Sequence, residues 1–239
     1  MQNASGPRSE TRSLPARPDL GGLRAEAERR CRAGEFQTVA LAKLALAREH
    51  GFASWPRLKF HVEALTLGAG ERAEALVRSA CSSDLRRARV LLAADPALSR
   101  HDLACACVTG QAAEVARRLE RSPRVARRRG APLDWEPILY ACFSRFLRDG
   151  DRAPGIREVV RLLLDAGADP NASFDHDGWL QVPLYGAAGI ANDAELTRML
   201  LEAGADPDDA GARRVGEALY HAVEFPDPTC AALLIDAGT

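Results

Sequence analysis

The amino-acid sequence predicts an all-α protein, in which an N-terminal helical cap precedes a solenoid of stacked helical repeats. One observation is a repeated phrase: LLLDAGADP at 162–170 returns almost unchanged as LLEAGADP at 200–207 and begins again as LLIDAGT at 233–239. The glycines of the three copies lie 37 and 34 residues apart, a period typical of stacked supersecondary units. A second observation is that apolar residues between 19 and 67 follow helical spacing.

The composition and net charge limit the classes of partner that we expect this protein to bind. Of the 239 residues, 46% are hydrophobic and 27% are charged, which is the balance of a globular protein. A formal net charge of −1 and an aromatic content of 5% disfavour nucleic acid and an acidic membrane surface. The first residues lack the apolar core of a signal peptide, and no later apolar run is long enough to span a membrane. We therefore expect a cytoplasmic protein without a membrane partner.

Three segments are predicted along the chain. Residues 1–18 combine Pro, Ser, Gly and Arg without apolar periodicity, which indicates a disordered leader. Residues 19–70 are predicted to form the N-terminal helical cap module, and residues 71–239 the repeats. Within the cap we expect helices near 19–33, 36–50 and 55–67, with Gly34 and Gly51 as helix stops and Ser54 as an N-cap before Pro56.

The repeats share a register that is set by small residues. These residues are expected to lie on the first helix of each two-helix unit, where a small side chain lets the next unit approach closely. The segment RSACSSDLRRARVLLAADP (78–96) supplies a degenerate unit ahead of them. The register residues are Ala106 in DLACAC, Ala141 in PILYAC, Ala187 in PLYGAA and Ala222 in ALYHAV.

About five units are predicted in this way, of which the first two are degenerate and the last is incomplete. The third copy of the repeated phrase stops at Thr239, so we expect a truncated chain. The third unit carries nine extra residues around RFLRDGDRAPG (145–155), which lengthen the turn between its two helices. Gly167 and Gly204 follow the leucines that end second helices, where a left-handed backbone favours glycine.

These units resemble the ankyrin repeat over about residues 71–239. In that family the first helix opens T-P-L-H-x-A-A and the second ends L-L-x-x-G-A-D before a finger-like hairpin. GADPNASFDHDGWLQVPLYGAA (167–188) is the best match, with Asp177-Gly178-Trp179 similar to the D-G-W at the finger's end. The Thr-Pro opening and the His are missing, and Tyr185 and Tyr220 stand at the His position.

The resemblance implies a rigid concave face that binds a partner protein without catalysis. The segment ALAREHGFASWPRLKFHVEAL (45–65) is similar to one that precedes ankyrin repeats in bacterial proteins, which adds nothing about chemistry. Departures from the pattern near the fingers are the best pointers to function. The candidate partner-binding residues are Arg127, Arg128, Arg129 and Trp135 in SPRVARRRGAPLDWEP, and Asp175, His176, Asp177 and Trp179 in the following finger.

Interpretations that give these residues no role in binding also stay open. The arginines also fit a solvated basic loop, and Trp135 and Trp179 also fit tryptophans that pack a finger against the stack. Asp175, His176 and Asp177 would give a finger tip acidic character. The extra residues of the third unit are equally consistent with a binding loop and with a neutral insertion.

The six cysteines suggest neither a disulfide scaffold nor a metal site. Cys105 and Cys107 point about 200° apart around a helix, so both reach one ion with difficulty. Cys107 and Cys142 share a register column with Ala188 and Val223, where a free cysteine behaves as a small hydrophobic residue. We therefore expect no metal and free, buried thiols.

A nucleotide-dependent enzyme is the alternative that the sequence leaves open. Gly68, Gly70 and Ala73 fit G-x-G-x-x-A, and Asp95 follows at the spacing of a ribose-binding acid. This interpretation requires a strand before Gly68, where helical spacing is found instead. No cofactor is therefore predicted.

A non-enzyme is the expectation. No metalloprotease, nucleophile-elbow or phosphate-loop motif occurs, and the five histidines are scattered along the sequence. A purely structural spacer within a longer polypeptide is a further alternative.

Overall fold

The computed structural model describes residues 12–15, 18–82, 85–208 and 217–238. The chain divides into two compact units, residues 1–68 and residues 69–239. Within the described ranges the secondary structure is almost entirely helical, and one two-stranded sheet is the exception. The prediction of an all-α protein is therefore confirmed at the level of secondary-structure class.

The first unit contains the three helices expected from the apolar spacing. They are α1 (Leu20–Arg32), α2 (Val39–Glu49) and α3 (Trp55–Thr66). The Asp19 carboxylate accepts hydrogen bonds from the amides of Gly21 and Gly22, and the Thr38 hydroxyl accepts one from the Leu41 amide. These bonds satisfy amides that the first helical turn leaves unpaired. The core of the unit consists of Leu23, Ala27, Ala42, Leu46, Ala47, Leu58 and Val62.

Part of the predicted disordered leader is bonded to this first unit. The Arg12 amide donates to the Glu49 carbonyl at 2.8 Å, and the Arg12 guanidinium pairs with Glu26 at 2.8 Å. Nδ1 of His50 lies 2.8 Å from the Arg12 carbonyl. Arg12 is thus bonded to the first unit through both its backbone and its side chain. Residues 1–11, 16 and 17 of the leader lie outside the described residues.

The second unit is a succession of helix pairs. In each pair a first helix is followed by a second helix that packs against it. Short 3-10 helices at Pro96–Arg100, Pro123–Arg127 and Arg145–Arg148 lie in some of the connections. One first helix is wound as a π-helix, Tyr185–Ala191. The remaining helices are α4 (Ala69–Ala80), α5 (Leu85–Ala94), α6 (Leu103–Thr109), α7 (Ala112–Arg121), α8 (Pro137–Cys142), α9 (Ala153–Asp165), α10 (Ala194–Glu202), α11 (Glu217–Ala222) and α12 (Thr229–Asp236).

The first helices form one layer and the second helices form another. In the first layer, α4, α6, α8, the π-helix and α11 each contact the next in chain order. In the second layer, α7, α9, α10 and α12 do the same. These helices therefore bury their apolar faces against neighbours in the stack, whereas α5 packs mainly against α4.

Small buried residues line the contacts between first helices, as the register predicts. Ala106, Ala141, Ala187 and Ala222 have no exposed surface. Val223 was predicted in the same buried column as Ala188, and this prediction is wrong, because Val223 is 60% exposed. Val223 follows the last residue of α11, and among the described residues no further first helix packs against it.

Glycines allow the closest approaches of the stack. Gly167 and Gly204 have φ of +86° and +91°, which confirms the predicted left-handed helix stops. A β-carbon on Gly155 of α9 would lie 2.5 Å from the Gly110 carbonyl oxygen, and one on Gly186 would lie 2.6 Å from the Cys142 carbonyl oxygen. At both positions two backbone segments touch with no room for a methyl group.

An ion pair joins neighbouring second helices. The Asp193 carboxylate accepts a hydrogen bond from the Leu196 amide at 3.0 Å and thereby caps the start of α10. Arg157 of α9 donates through Nε to the same carboxylate at 3.0 Å and pairs with Glu195 at 2.8 Å. The cap of one helix therefore depends on the side chain of the helix before it.

The strand required by a nucleotide-binding fingerprint is not formed. The residues that precede Gly68 form helix α3, and Gly70 and Ala73 lie within α4. Asp95 pairs with Arg72 at 3.2 Å, so its carboxylate already has a partner inside the second unit. The nucleotide-binding alternative thus lacks the strand that it requires.

None of the described helices combines the length and the apolar character needed to cross a membrane.

Substitution of Gly155 tests the close approach of the helix pairs. We expect Gly155→Ala to lower the free energy of unfolding by about 2 kcal/mol, because the new methyl group would collide with the Gly110 backbone. Urea denaturation followed by circular dichroism measures the change. Gly70→Ala is the matched control, since Gly70 also lies in a first helical turn and nothing lies within 4 Å of the place that its β-carbon would occupy. An equal loss in the control would contradict the steric explanation.

Candidate functional site

Two loops carry the sequence-predicted binding residues, and both connect a second helix to the next first helix. We call them the finger loops, residues 128–136 and residues 171–182. In the first, the Gly130 amide donates to the Trp135 carbonyl at 3.0 Å. The second contains β1 (Phe174–His176) and β2 (Trp179–Gln181), which pair antiparallel. Each loop is thus closed on itself by backbone hydrogen bonds.

The second finger loop ends in a tight turn. Asp177 and Gly178 have φ of +53° and +83°, the positive values that a two-residue type I′ turn requires. The Asp175 carboxylate accepts a hydrogen bond from the Gly178 amide at 3.0 Å and fixes the turn. His176 pairs with Trp179 in the strand register, and Trp179 is 39% exposed. The predicted residues of this loop therefore lie on its exposed end.

The structure brings the two finger loops together. The Arg129 guanidinium donates to the Ser173 carbonyl at 3.0 Å, and the rings of Trp135 and Phe174 stack with centroids 3.9 Å apart. Arg127 lies 3.9 Å from the Asp169 carboxylate, just ahead of the second loop. Arg127, Arg129 and Trp135 thus belong to one continuous surface with the second finger loop.

Trp135 is a half-buried packing residue rather than a free aromatic anchor. Besides Phe174, its ring lies 5.4 Å from that of Tyr140 and 5.5 Å from that of Phe143. Such aromatic pairs add to the stabilisation from buried area alone. Its contacts fit the interpretation of a tryptophan that packs a finger against the stack, since the ring joins both finger loops to α8.

The hydroxyl of Tyr140 anchors the first finger loop through two hydrogen bonds. Its hydroxyl donates to the Gly130 carbonyl at 2.6 Å and accepts from the Leu133 amide at 2.9 Å. Burial raises the pKa of this phenol, so it remains protonated and able to donate. Sequence reasoning missed Tyr140, because only its side-chain hydrogen bonds distinguish it from other apolar residues of α8.

A basic cavity of about 450 Å³ opens beside the first finger loop. Its lining combines guanidinium groups from two directions, the last turns of α7 and the finger loop itself. Asp102 is the acidic residue of the lining, and its carboxylate caps α6 by accepting from the Cys105 amide at 2.7 Å. The residues that define the cavity chemically are Arg118, Arg121, Arg128, Arg129, Trp135 and Tyr140.

The positive charge of this cavity is only partly neutralised by the described part of the protein. Glu114, which is 7% exposed, bridges Arg117 and Arg118, and the hydrogen bond from Arg117 lowers the pKa of Glu114. Arg121 and Arg128 are exposed and form no ion pair with any described residue. Sequence reasoning found Arg128 but missed Arg118 and Arg121, which lie on a helix and face the loop only after folding.

Glu136, the last residue of the first finger loop, has a poorly solvated carboxyl group. One of its carboxylate oxygens, Oε2, is buried without a hydrogen-bond partner among the described residues. Burial, and then the charge of Asp169, raises the pKa of Glu136, while Arg127 and Arg129 oppose the shift. Glu136 precedes α8 without forming a capping bond through its side chain.

The cysteines of the second unit contribute no reactive group to the site. Cys105, Cys107 and Cys142 are fully buried, as the register predicts for Cys107 and Cys142, and burial raises the pKa of each thiol. Burial raises the pKa of Cys81 to about 12. A protonated thiol is a poor nucleophile and a poor metal ligand. Within the described ranges, no three His, Cys, Asp or Glu side chains are grouped as metal ligands.

Comparison with models of known protein families gives no match, and comparison with curated protein sequences gives no significant match.

Alanine substitution of the two finger-loop tryptophans compares a packed ring with a more exposed one. We expect Trp135→Ala to lower the free energy of unfolding by about 2 kcal/mol, because the aromatic contacts to Phe174, Tyr140 and Phe143 are lost. Trp179→Ala is the matched variant and should cost less than about 1 kcal/mol. Chemical denaturation of both variants measures the difference. Equal losses would show that Trp135 does not hold the finger loops together.

The carboxyl group of Glu136 gives a pH-dependent prediction. Its pKa in the folded protein lies above the reference value of 4.5, so ionisation costs folding free energy as the pH rises through the folded-state pKa. Glu136→Gln should therefore be more stable than the parent at pH 7, and the difference should vanish at pH 4. Urea denaturation at both pH values measures it. An equal gain in Glu120→Gln, a substitution at an exposed carboxylate of α7, would contradict burial as the cause.

Proposed function

We propose that the second unit is an ankyrin-type solenoid and that the chain is a non-catalytic, cytoplasmic module that binds a partner protein. The two-layer stack of helix pairs supports the first part, together with a hairpin that precedes a first helix and turns at Asp177-Gly178. The exposed finger loops support the second part. Loops held on a rigid scaffold are common places for recognition.

The observation that carries the proposal is the basic cavity beside the first finger loop. Arg121 and Arg128 present guanidinium groups that no described carboxylate neutralises, next to the rings of Trp135 and Tyr140. The whole chain has a formal net charge of −1, so this positive character is local. Arginine forms bidentate hydrogen bonds with carboxylates, and arginine is enriched among interface hot spots.

The partner is accordingly a protein that offers an acidic segment. Two or more carboxylates of that segment would pair with Arg121 and Arg128, and its chain would lie across the finger loops. Contacts between the loops lower the ordering cost of binding, because Trp135 and Arg129 already hold the first loop against the second. Asp175 and Asp177 at the far turn would repel the same segment and so fix its direction.

Charge reversal in the cavity tests this function. We expect Arg121→Glu/Arg128→Glu to capture none of the proteins that the parent chain retains from a lysate of its native host. For a purified partner, the dissociation constant should rise at least tenfold. The parent interaction should weaken as the salt concentration rises, because exposed charges are screened.

Arg198→Glu is the control variant, since Arg198 is an exposed arginine of α10 without an ion-pair partner among the described residues. It changes the net charge in the same direction and should leave capture intact. The tryptophan variants are unsuitable here, because loss of Trp135 disturbs the loops themselves. Retention of the same proteins by the double variant, or of none by the parent, would refute the proposed surface.

A further inference from the structure

A second basic cavity lies at the other end of the first helices, away from the finger loops. Its volume is about 340 Å³. The insertion of the third unit supplies two of its arginines, Arg145 and Arg148, from the two ends of a short 3-10 helix. The π-helix and the turn after α11 complete it with Tyr185, Ile190, Glu224 and Phe225.

Arg145 is a cation without a counter-ion in the described part of the chain. Its Nε atom is buried and has no hydrogen-bond partner among the described residues. No described carboxylate forms an ion pair with its guanidinium group, and burial, followed by repulsion from Arg148, lowers its pKa. A buried polar group normally has a partner, because leaving a donor unsatisfied costs free energy. The position of Arg145 therefore needs an explanation other than internal pairing.

Arg148 is held in place at the side of the same cavity. Its guanidinium donates to the Ile190 carbonyl of the π-helix and lies 5.2 Å from the centre of the Phe225 ring. The start of the 3-10 helix is fixed as well, because the Ser144 hydroxyl donates to the Val108 carbonyl at 2.6 Å. Both arginines are thus presented by a segment anchored to its neighbours in the stack.

The charges around the cavity favour an anion. Glu224 is the acidic residue of its lining, and its carboxylate lies 3.0 Å from Nδ1 of His221. The lining therefore holds two guanidinium groups, of Arg145 and Arg148, and one carboxylate, of Glu224, which already has His221 as a partner. Guanidinium groups bind carboxylate and phosphate oxygens through paired, charge-assisted hydrogen bonds.

We propose that this cavity binds a small molecule through a compact oxyanion, a phosphate or a carboxylate group, held by Arg145 and Arg148. The volume falls within the range of small-molecule sites and exceeds what a single oxyanion fills. The rings of Tyr185 and Phe225 line the remaining space and offer apolar contact to the rest of the ligand. The site is independent of the finger loops, so it does not rest on the proposed protein-binding function.

A structural role for Arg145 makes the opposite prediction about stability. If Arg145 serves as a ligand-binding residue that lacks a partner in the free protein, Arg145→Met should unfold at an equal or higher temperature than the parent in chloride buffer. If Arg145 stabilises the fold, the same variant should unfold at a lower temperature. A loss of stability in this variant would overturn the proposal.

Direct binding is measured on the full chain with inorganic phosphate, acetate and chloride at matched ionic strength. We expect phosphate or acetate to raise the melting temperature in a saturable way, by about 3 °C at tenfold excess over its dissociation constant. The nuclear magnetic resonance signal of the Arg145 Nε–H group should shift with the same saturation curve. A larger response to phosphate identifies a phosphate ligand, and a larger response to acetate identifies a carboxylate ligand.

The matched controls decide between a site and general salt effects. Arg145→Met should lose the anion-dependent rise in melting temperature, and Arg198→Met, at an exposed arginine of α10, should retain it. Equal responses to all three anions, no response to phosphate and acetate, or an undiminished response in Arg145→Met would each overturn the proposal.

Discussion

The close approach of successive first helices is the constraint on which the second unit depends. A helix of six or seven residues is too short to be stable alone, so its stability must come from packing. Ala141 and Ala187 have no exposed surface at these contacts, and Gly186 brings one backbone against the carbonyl of Cys142. Larger side chains there would separate the helices and expose the apolar faces of both layers to water.

The same stacking determines where the loops lie. Each finger loop leads into a first helix, so the spacing of those helices places the loops side by side. Trp135 and Phe174 come from different loops, and their rings meet because α8 and the π-helix are neighbours. The basic cavity arises from a similar juxtaposition, since Arg121 ends one helix and Arg128 begins the loop that folds back beside it. Surface chemistry therefore follows from helix spacing.

The sequence predicted the features that repeat and missed those that depend on contacts between units. The helix stops at Gly167 and Gly204, the cap helices and the buried Cys107 and Cys142 follow from local conformation and register, and the structure confirms them. Burial of Val223 was predicted from register alone and is wrong. The stacking of Trp135 and the burial of Arg145 beside Arg148 are properties of three-dimensional packing, for which spacing along the chain carries no signal.

The bridge from Arg157 to Asp193 has a consequence for cooperativity. In a linear array the stability is approximately a sum of the intrinsic stability of each helix pair and the interface terms between neighbouring pairs. Asp193 both caps α10 and receives Arg157 from α9, so the first turn of α10 gains its full stabilisation only when α9 is in place. Opening of α9 would weaken the start of α10 as well. The Arg157–Asp193 contact thereby adds to the coupling between these two helix pairs, which favours concerted over stepwise unfolding along this part of the stack.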